Sequence, residues 1–290
     1  RAHRELLQCD VVLNTDASIH APDTPSIVYA LRGLDYFEVS IESLGHDLHS
    51  GLFGGSVRNP IHVLADLISG MHDKEGRVTL PGFYDKVRPL DEEERALLRE
   101  TPYSDDAWLS MSGARGLYGE SGYSTVERVG ARPTLEINGI WGGFTGEGAK
   151  TVLPARAWAK LSTRLVPDQR PADIEPMLRA YLKANLPAEI TWTLTVHSEG
   201  PGSVMNRKSP YMQAAQAALE EVFGKKPIFK RDGGSVPVVG HFQEELKVDS
   251  IMLGFALPDD GIHGPNEKQH LPTLWRGGEA YIEFLAQMGK

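Results

Sequence analysis

Apolar runs that read as fully buried strands stand toward the two ends of this chain, while the long middle is patterned differently. Cys9 to Asn14 is one such run, ending at Thr15-Asp16, and Ile27 to Leu31 is another, broken by Arg32-Gly33. Ser250 to Phe255 is a third. Strands of this kind need cover on both faces, which helices in an α/β layer provide. Helices accompany the late run: Ser209-Pro210 caps one that continues through Phe223, and Leu274 to Met288 forms a closing one. The α/β layer is therefore split, with residues 1–32 before an insertion and residues 202–290 after it.

Residues 33–201 carry the other pattern. Phe37, Val39 and Ile41 alternate with Glu38, Ser40 and Glu42, as a half-buried strand does. Asn59-Pro60 supplies an N-cap and an N1 proline for a helix carrying Ile61, Leu64, Ala65, Ile68 and Met71. Residues 74–132 are more polar, with an acid-capped helix from Asp91 to Glu100. Leu135-Glu136-Ile137 and the alternating Ala157 to Leu165 read as strands, Asp173 to Ala184 as an amphipathic helix, and Ile190 to Val196 as a further strand. This order describes a split βαβ, ferredoxin-like α+β unit.

Composition narrows the function classes. Of 290 residues, 41% are apolar and 24% charged, an ordinary globular balance. A net charge of -9 without a long Lys/Arg run argues against a nucleic-acid surface. No apolar stretch approaches a membrane span, and no signal peptide is visible. The single Cys9 fits a reducing compartment, the cytoplasm, and its place before an apolar strand reads as a buried structural thiol. The chain opens Arg1-Ala2-His3-Arg4-Glu5, without Met and almost directly into a strand, as a fragment or a processed product would.

The segment Asp259-Asp260-Gly261-Ile262-His263-Gly264-Pro265-Asn266-Glu267 places an imidazole on a loop just after a buried strand, suited to binding a metal or moving a proton. Asp16 ends the first strand of the same layer, where ligands of open α/β sheets bind. Asp16 and His263 are suitable zinc ligands, though two are too few for a closed site, and Asp16 taken alone reads as a turn or cap residue. His46 and His49 stand three apart, a spacing that could hold a metal, but a strand-end turn does not stack the two as a helix does, and a hydrogen-bonding role is preferred for one of them. Arg231-Asp232-Gly233-Gly234-Ser235 lets backbone approach a ligand with a hydroxyl beside it, or is simply a strand-to-helix turn.

In order along the chain come Asp47-Leu48-His49-Ser50-Gly51, Gly148-Ala149-Lys150-Thr151-Val152-Leu153-Pro154, Arg164-Leu165-Val166-Pro167, Gly233-Gly234-Ser235-Val236-Pro237 and His263-Gly264-Pro265-Asn266-Glu267. Together they resemble the di-zinc aminoacylase and dipeptidase family that includes carboxypeptidase G, acetylornithine deacetylase and carnosinase, nearest its carnosinase-like, nonspecific dipeptidase branch. The resemblance implies a partial zinc-peptidase-type α/β catalytic layer interrupted by a lid and dimerisation domain at residues 33–201. It implies a dipeptide or N-acyl amino acid substrate, a homodimer through the lid, and two zinc ions per complete site, with manganese or cobalt tolerated by the same ligand types.

By position, the resemblance makes Asp16 and His263 metal ligands and His49 a catalytic donor that reaches the oxyanion in a partner's site. It makes Thr151, Arg164, His197 and Ser235 residues that grip the carboxylate end of the substrate. A guanidinium fork suits a carboxylate, and a preorganised donor suits an oxyanion. The family's first His motif, bridging Asp and Glu-Glu pair, one of whose glutamates is the general base, precede the point where this sequence starts. The expectation is a C-terminal portion of such a hydrolase, inactive by itself. A noncatalytic, lid-bearing module paired with another polypeptide is the second reading. A phosphate-handling α/β hydrolase ranks last, with only Lys230 and Arg231 as cations near Gly233-Gly234.

Overall fold

The computed structural model describes residues 9–289, so the reading of Arg1 to Glu5 lies outside the described residues. The chain runs β1 (Val11–Asn14), β2 (Ser26–Leu31) and β3 (Gly33–Glu42), then β4 (Leu48–His49), α1 (Ser50–Phe53) and α2 (Pro60–Ser69). Helices α3 (Glu92–Arg99), α4 (Asp105–Ser112) and α5 (Thr125–Ala131) precede β5 (Thr134–Gly142), β6 (Val152–Leu153), β7 (Arg156–Leu165) and α6 (Pro171–Asn185). After β8 (Thr191–Gly200) and β9 (Ser203–Val204) come α7 (Pro210–Phe223), β10 (Ile228–Asp232), α8 (Pro237–His241), β11 (Asp249–Met252) and α9 (Leu271–Met288). A π-helical turn, Phe242–Leu246, follows α8 directly.

Strands from both ends of the chain build one sheet, in the order β1-β11-β2-β10 with β9 on β2. Its β1/β11 and β10/β2 pairs are parallel, whereas β11 meets β2 antiparallel at Met252–Val28. Ile27, Val28, Leu31, Ile251 and Met252 pack beneath Met212, Ala215 and Leu219 of α7 and Ala280 and Phe284 of α9. The helix capped by Ser209 forms as read, Ser209 Oγ accepting from the Met212 amide at 3.2 Å. The closing helix starts earlier than its apolar spacing indicates, at Leu271, because Pro272 is tolerated in a first turn.

Two expectations for the first strand need correction. Cys9 is exposed rather than buried, since it precedes the strand, which begins at Val11. The strand itself is half-buried, because β1 lies at the edge of the sheet.

The second sheet is four-stranded and antiparallel, in the order β5-β7-β3-β8. With α2 joining its first two strands and α6 its last two, this is the ferredoxin-like arrangement. Phe37, Val39 and Ile41 of β3 bury against Ala157, Ala159 and Leu161 of β7 and against Leu64 and Leu67 of α2 and Leu178 and Leu182 of α6. Asn59 caps α2 as its sequence indicates, its side chain accepting from the Ile61 amide at 2.9 Å. Helices α3 and α5, from the polar stretch between, pack on β10 of the other sheet.

Asp35 sits where β3 crosses β7, 1% exposed, taking a hydrogen bond from the Thr163 hydroxyl at 2.8 Å while its Oδ1 has no partner. Burial, with the Glu199 carboxylate opposite as a further contribution, pushes the Asp35 carboxyl up to about 6. Between the ordinary value of 3.8 and about 6, the folded chain holds a proton that the unfolded chain has released. Stability owed to Asp35 should therefore fall as pH rises through that window, by about 3 kcal/mol, and level off above it. Urea unfolding at the two ends of the window checks this. If Asp35→Asn leaves the slope intact, another group is responsible.

Candidate functional site

A cleft of about 820 Å³ opens beside both sheets, and Asp16, Arg164, Ser235, His263 and Glu267 line it together with Tyr36. Asp16 reaches it because the chain turns sharply after β1. The Asn14 side chain accepts from the Asp16 amide at 2.8 Å, so the Asx turn belongs to Asn14 and the Asp16 carboxylate is left exposed. Parallel pairing then resumes at Ser18–Ala256. That return needs Gly254: a Cβ there would stand 2.1 Å from the carbonyl oxygen of Ala17.

The loop bearing His263 is built on a buried acid. Asp260 is 1% exposed, and its Oδ2 accepts from the Leu257 amide at 2.7 Å. The Asp260 carbonyl takes the Lys268 amide at 2.9 Å, which closes the loop at its base. Asp259 pairs with Lys268 at 2.6 Å. The two acids before His263 thus shape the loop. Within it Gly261, His263 and Asn266 all have positive φ, at 69°, 64° and 60°. A left-handed non-glycine residue costs about 1 kcal/mol, and such strain gathers where a side chain must be aimed. His263 is held in that conformation on the wall of the cleft.

Arg164, on β7, and Ser235, on the loop between β10 and α8, meet. Arg164 Nη1 donates to Ser235 Oγ at 2.8 Å, and Ser235 Oγ donates to the Gly33 carbonyl at 3.3 Å. Arg164 Nη2 reaches Tyr36 Oη at 3.5 Å. Gly33 lets the two sheets approach here, since a Cβ on it would lie 2.7 Å from the Gly200 carbonyl oxygen and the Gly202 amide nitrogen. Sequence reasoning passed over Tyr36 and Glu267 as site residues. Tyr36 falls on the polar phase of the β3 alternation, and Glu267 ends the His263 motif; each offered that signal.

His49 and Thr151 lie together but away from this cleft, on the ribbon made by β4 and β6. His49 Nδ1 accepts from the Gly51 amide at 3.0 Å, which leaves the proton of a neutral ring on Nε2, 3.3 Å from Thr151 Oγ1. The ring is thereby oriented as an N–H donor. Leu52 and Phe53 beside it are exposed, at 77% and 40%. His197, on β8, is outside the cleft lining and faces Glu38 at 3.4 Å. The cations near Gly233-Gly234 are engaged, Lys230 with Ser18 Oγ at 2.8 Å and Arg231 with Glu94.

As a donor set, one carboxylate and one imidazole suit a divalent transition metal, zinc among them. Among the described residues no group of three or more His, Cys, Asp or Glu is disposed to hold an ion. Asp16 and His263 fit part of a coordination shell.

Comparison with known proteins places these features in a family context. The peptidase dimerisation domain of the M20 family matches residues 29–190. The Cys-Gly metallodipeptidase of Candida albicans is 33% identical over 271 residues, 92% of this chain and 56% of that protein. The Beta-Ala-His dipeptidase of Mus musculus is 29% identical over 273 residues, 92% of this chain and 55% of that protein. Among solved structures, an M20 family metallo-carboxypeptidase from Sulfolobus solfataricus superposes with a TM-score of 0.87 at 30% identity, over 98% of this chain and 64% of that one. The chain thus spans little more than half the length of the curated relatives it matches.

Proposed function

The chain belongs to the M20 peptidase family, and from that premise we propose that it forms part of a metal-dependent dipeptidase, residues 1–32 and 202–290 contributing to the catalytic layer and residues 33–201 forming the lid. The observation that carries this reading is the meeting of Asp16, His263 and the Arg164–Ser235 pair in one cleft. Asp16 and His263 would hold metal, with further ligands from outside the described residues. A bound divalent cation, zinc by this donor set, would supply Lewis acidity toward the scissile carbonyl and an attacking water at neutral pH.

The protein's own groups do the rest. Arg164, steadied by Ser235 and Tyr36, receives the terminal carboxylate of a dipeptide. His49, fixed as an Nε2–H donor with Thr151 beside it, serves an oxyanion in the cleft of a second copy, to which the exposed Leu52 and Phe53 lead. His197 completes the carboxylate grip once its contact with Glu38 is exchanged. No described helix is long and apolar enough to cross a membrane, and we assign the enzyme to the cytoplasm on its single cysteine.

Hydrolysis of Cys-Gly and β-Ala-His by the longest polypeptide that carries this sequence, supplied with zinc, is the expected result. His263→Ala should abolish it. The 290-residue chain by itself should give no turnover, and robust turnover by it would overturn that part of the proposal. If the longer polypeptide hydrolyses no dipeptide, the function assignment itself fails.

A further inference from the structure

A second cavity, of about 410 Å³, lies on the other side of Arg164, bordered by Arg32, Arg128, Arg132 and the β5/β7 wall. Its lining carries four guanidinium groups, those of Arg32, Arg128, Arg132 and Arg164, against two carboxylates, Glu120 and Glu136. Glu120 already receives Arg132 through two hydrogen bonds of 2.7 and 2.8 Å and Arg77 at 3.0 Å. Arg128 donates only to backbone carbonyls, those of Glu120 and Tyr118. Arg164 meets the hydroxyls of Ser235 and Tyr36. Arg32, only 9% exposed, donates from Nε to the Gly233 carbonyl at 3.0 Å and from Nη1 to the Arg132 carbonyl at a long 3.5 Å.

No carboxylate lies within ion-pair distance of Arg32, Arg128 or Arg164 among the described residues. A buried guanidinium without a carboxylate in direct contact is rare and costly. Burial, with Arg164 nearby as a second cause and against the opposing pull of the Asp232 and Glu136 carboxylates, pushes Arg32 down to about 10, so it is charged at neutral pH. Across the cavity, Thr134 and Ser162 stand on one face of the sheet, because Thr134 pairs with Arg164 and Glu136 with Ser162. Their hydroxyls face the same space as the guanidinium groups.

We propose that this cavity is a binding site for a small oxyanion, inorganic phosphate or a short dicarboxylate, held between Arg32 and Arg164 with the Thr134 and Ser162 hydroxyls as further donors. Guanidinium forks match the oxygen spacing of both anions. The site is distinct from the cleft, sharing only Arg164 with it, and it does not depend on the dipeptidase reading. Through that shared guanidinium, an anion in the cavity would be felt at Ser235.

Thermal unfolding with phosphate or succinate, at ionic strength matched with sodium chloride, tests it on the wild-type protein, Arg32→Met and Thr134→Glu. At tenfold over Kd, a bound anion should raise the wild-type Tm by about 3 °C. Arg32→Met removes the principal ligand, and Thr134→Glu adds a further carboxylate to the cavity opposite Arg164, beside Glu136. Both should lose the response. A response to phosphate alone or to succinate alone identifies the source of the oxyanion. Equal shifts in all three proteins would mean general salt stabilisation and overturn the site, as would no shift in the wild type. If Arg32→Met does not fold, Thr134→Glu decides alone.

Discussion

Gly254→Ala should destabilise the sheet that carries Asp16 by about 3 kcal/mol or more, at the upper end of what overpacking costs. A Cβ at residue 254 would stand 2.1, 2.3 and 2.5 Å from the carbonyl oxygen, nitrogen and carbonyl carbon of Ala17. Ordinary carbon contacts begin near about 3.5 Å. All three atoms are backbone, so no side-chain rotation relieves the clash. The segment after β11 must instead part from the segment after β1. That strains the Leu253 amide's bond to the Asn14 carbonyl at 2.9 Å and the Ile19 amide's bond to the Ala256 carbonyl at 3.0 Å. Asp16 lies between those two bonds, so the variant should also move Asp16 away from His263. Urea unfolding reads the stability loss, and amide exchange at Ile19 and Leu253 reads the local parting. Gly278→Ala on α9, where a Cβ meets nothing within 4 Å, is the control. It should be neutral or slightly stabilising, as alanine is in an exposed helix. A Gly254→Ala variant as stable as that control would show that the two segments are not held together as described.

Much of this architecture was legible because burial leaves a periodic trace. Phe37, Val39 and Ile41 alternate in sequence and are 2%, 1% and 0% exposed in the second sheet. The caps of α2 and α7 were readable from Asn59 and Ser209 because an N-cap is a local arrangement, complete within a few residues. Edge position has no such trace. Val11 to Asn14 carries the same apolar residues as a central strand would, and only the sheet order makes it half-buried. Cys9 was misread for the same reason, its burial depending on where the strand starts.

At the site, the ordered motifs pointed to His263, Arg164 and Ser235 and the end of the first strand to Asp16, and these line one cleft. What holds them there was not legible. Asp260 stands near His263 in sequence, yet one of its carboxylate oxygens accepts from the Leu257 amide and the other is buried without a partner. His197 and Glu38 face one another through the β3/β8 pairing, which no local pattern announces. Arg32 reads as a strand breaker beside Gly33, and only the fold turns it inward against the carbonyls of Gly233 and Arg132. Contacts between residues distant in sequence carry no period, so charge pairing across the insertion has to be seen in three dimensions.

Glu94→Ala is the severest case of such a contact, with an expected loss of about 3–5 kcal/mol, the cost of breaking a buried ion pair from one side. Glu94, on α3, is 8% exposed and accepts Arg231 Nε at 2.8 Å, Arg231 Nη2, and the hydroxyl of Tyr29 at 2.8 Å. Tyr29 is 2% exposed, and burial pushes its hydroxyl up to about 12, so it remains a donor to the carboxylate. This network is what binds α3 of the insertion to β10 and β2. Removing the carboxylate leaves the Arg231 guanidinium buried opposite an unmatched phenol. Because Arg231 is followed by Asp232-Gly233-Gly234-Ser235, the disturbance should reach the Arg164–Ser235 bond. Glu94→Gln, which keeps one acceptor oxygen, should lose less. Replacing both partners, Glu94→Leu with Arg231→Met, should recover much of the loss, since an apolar pair of similar size often replaces a buried ion pair without penalty. A double-mutant cycle on urea unfolding measures the coupling. If the double variant is as unstable as the sum of the single ones, Glu94 and Arg231 act independently and α3 is held to the sheet by packing alone.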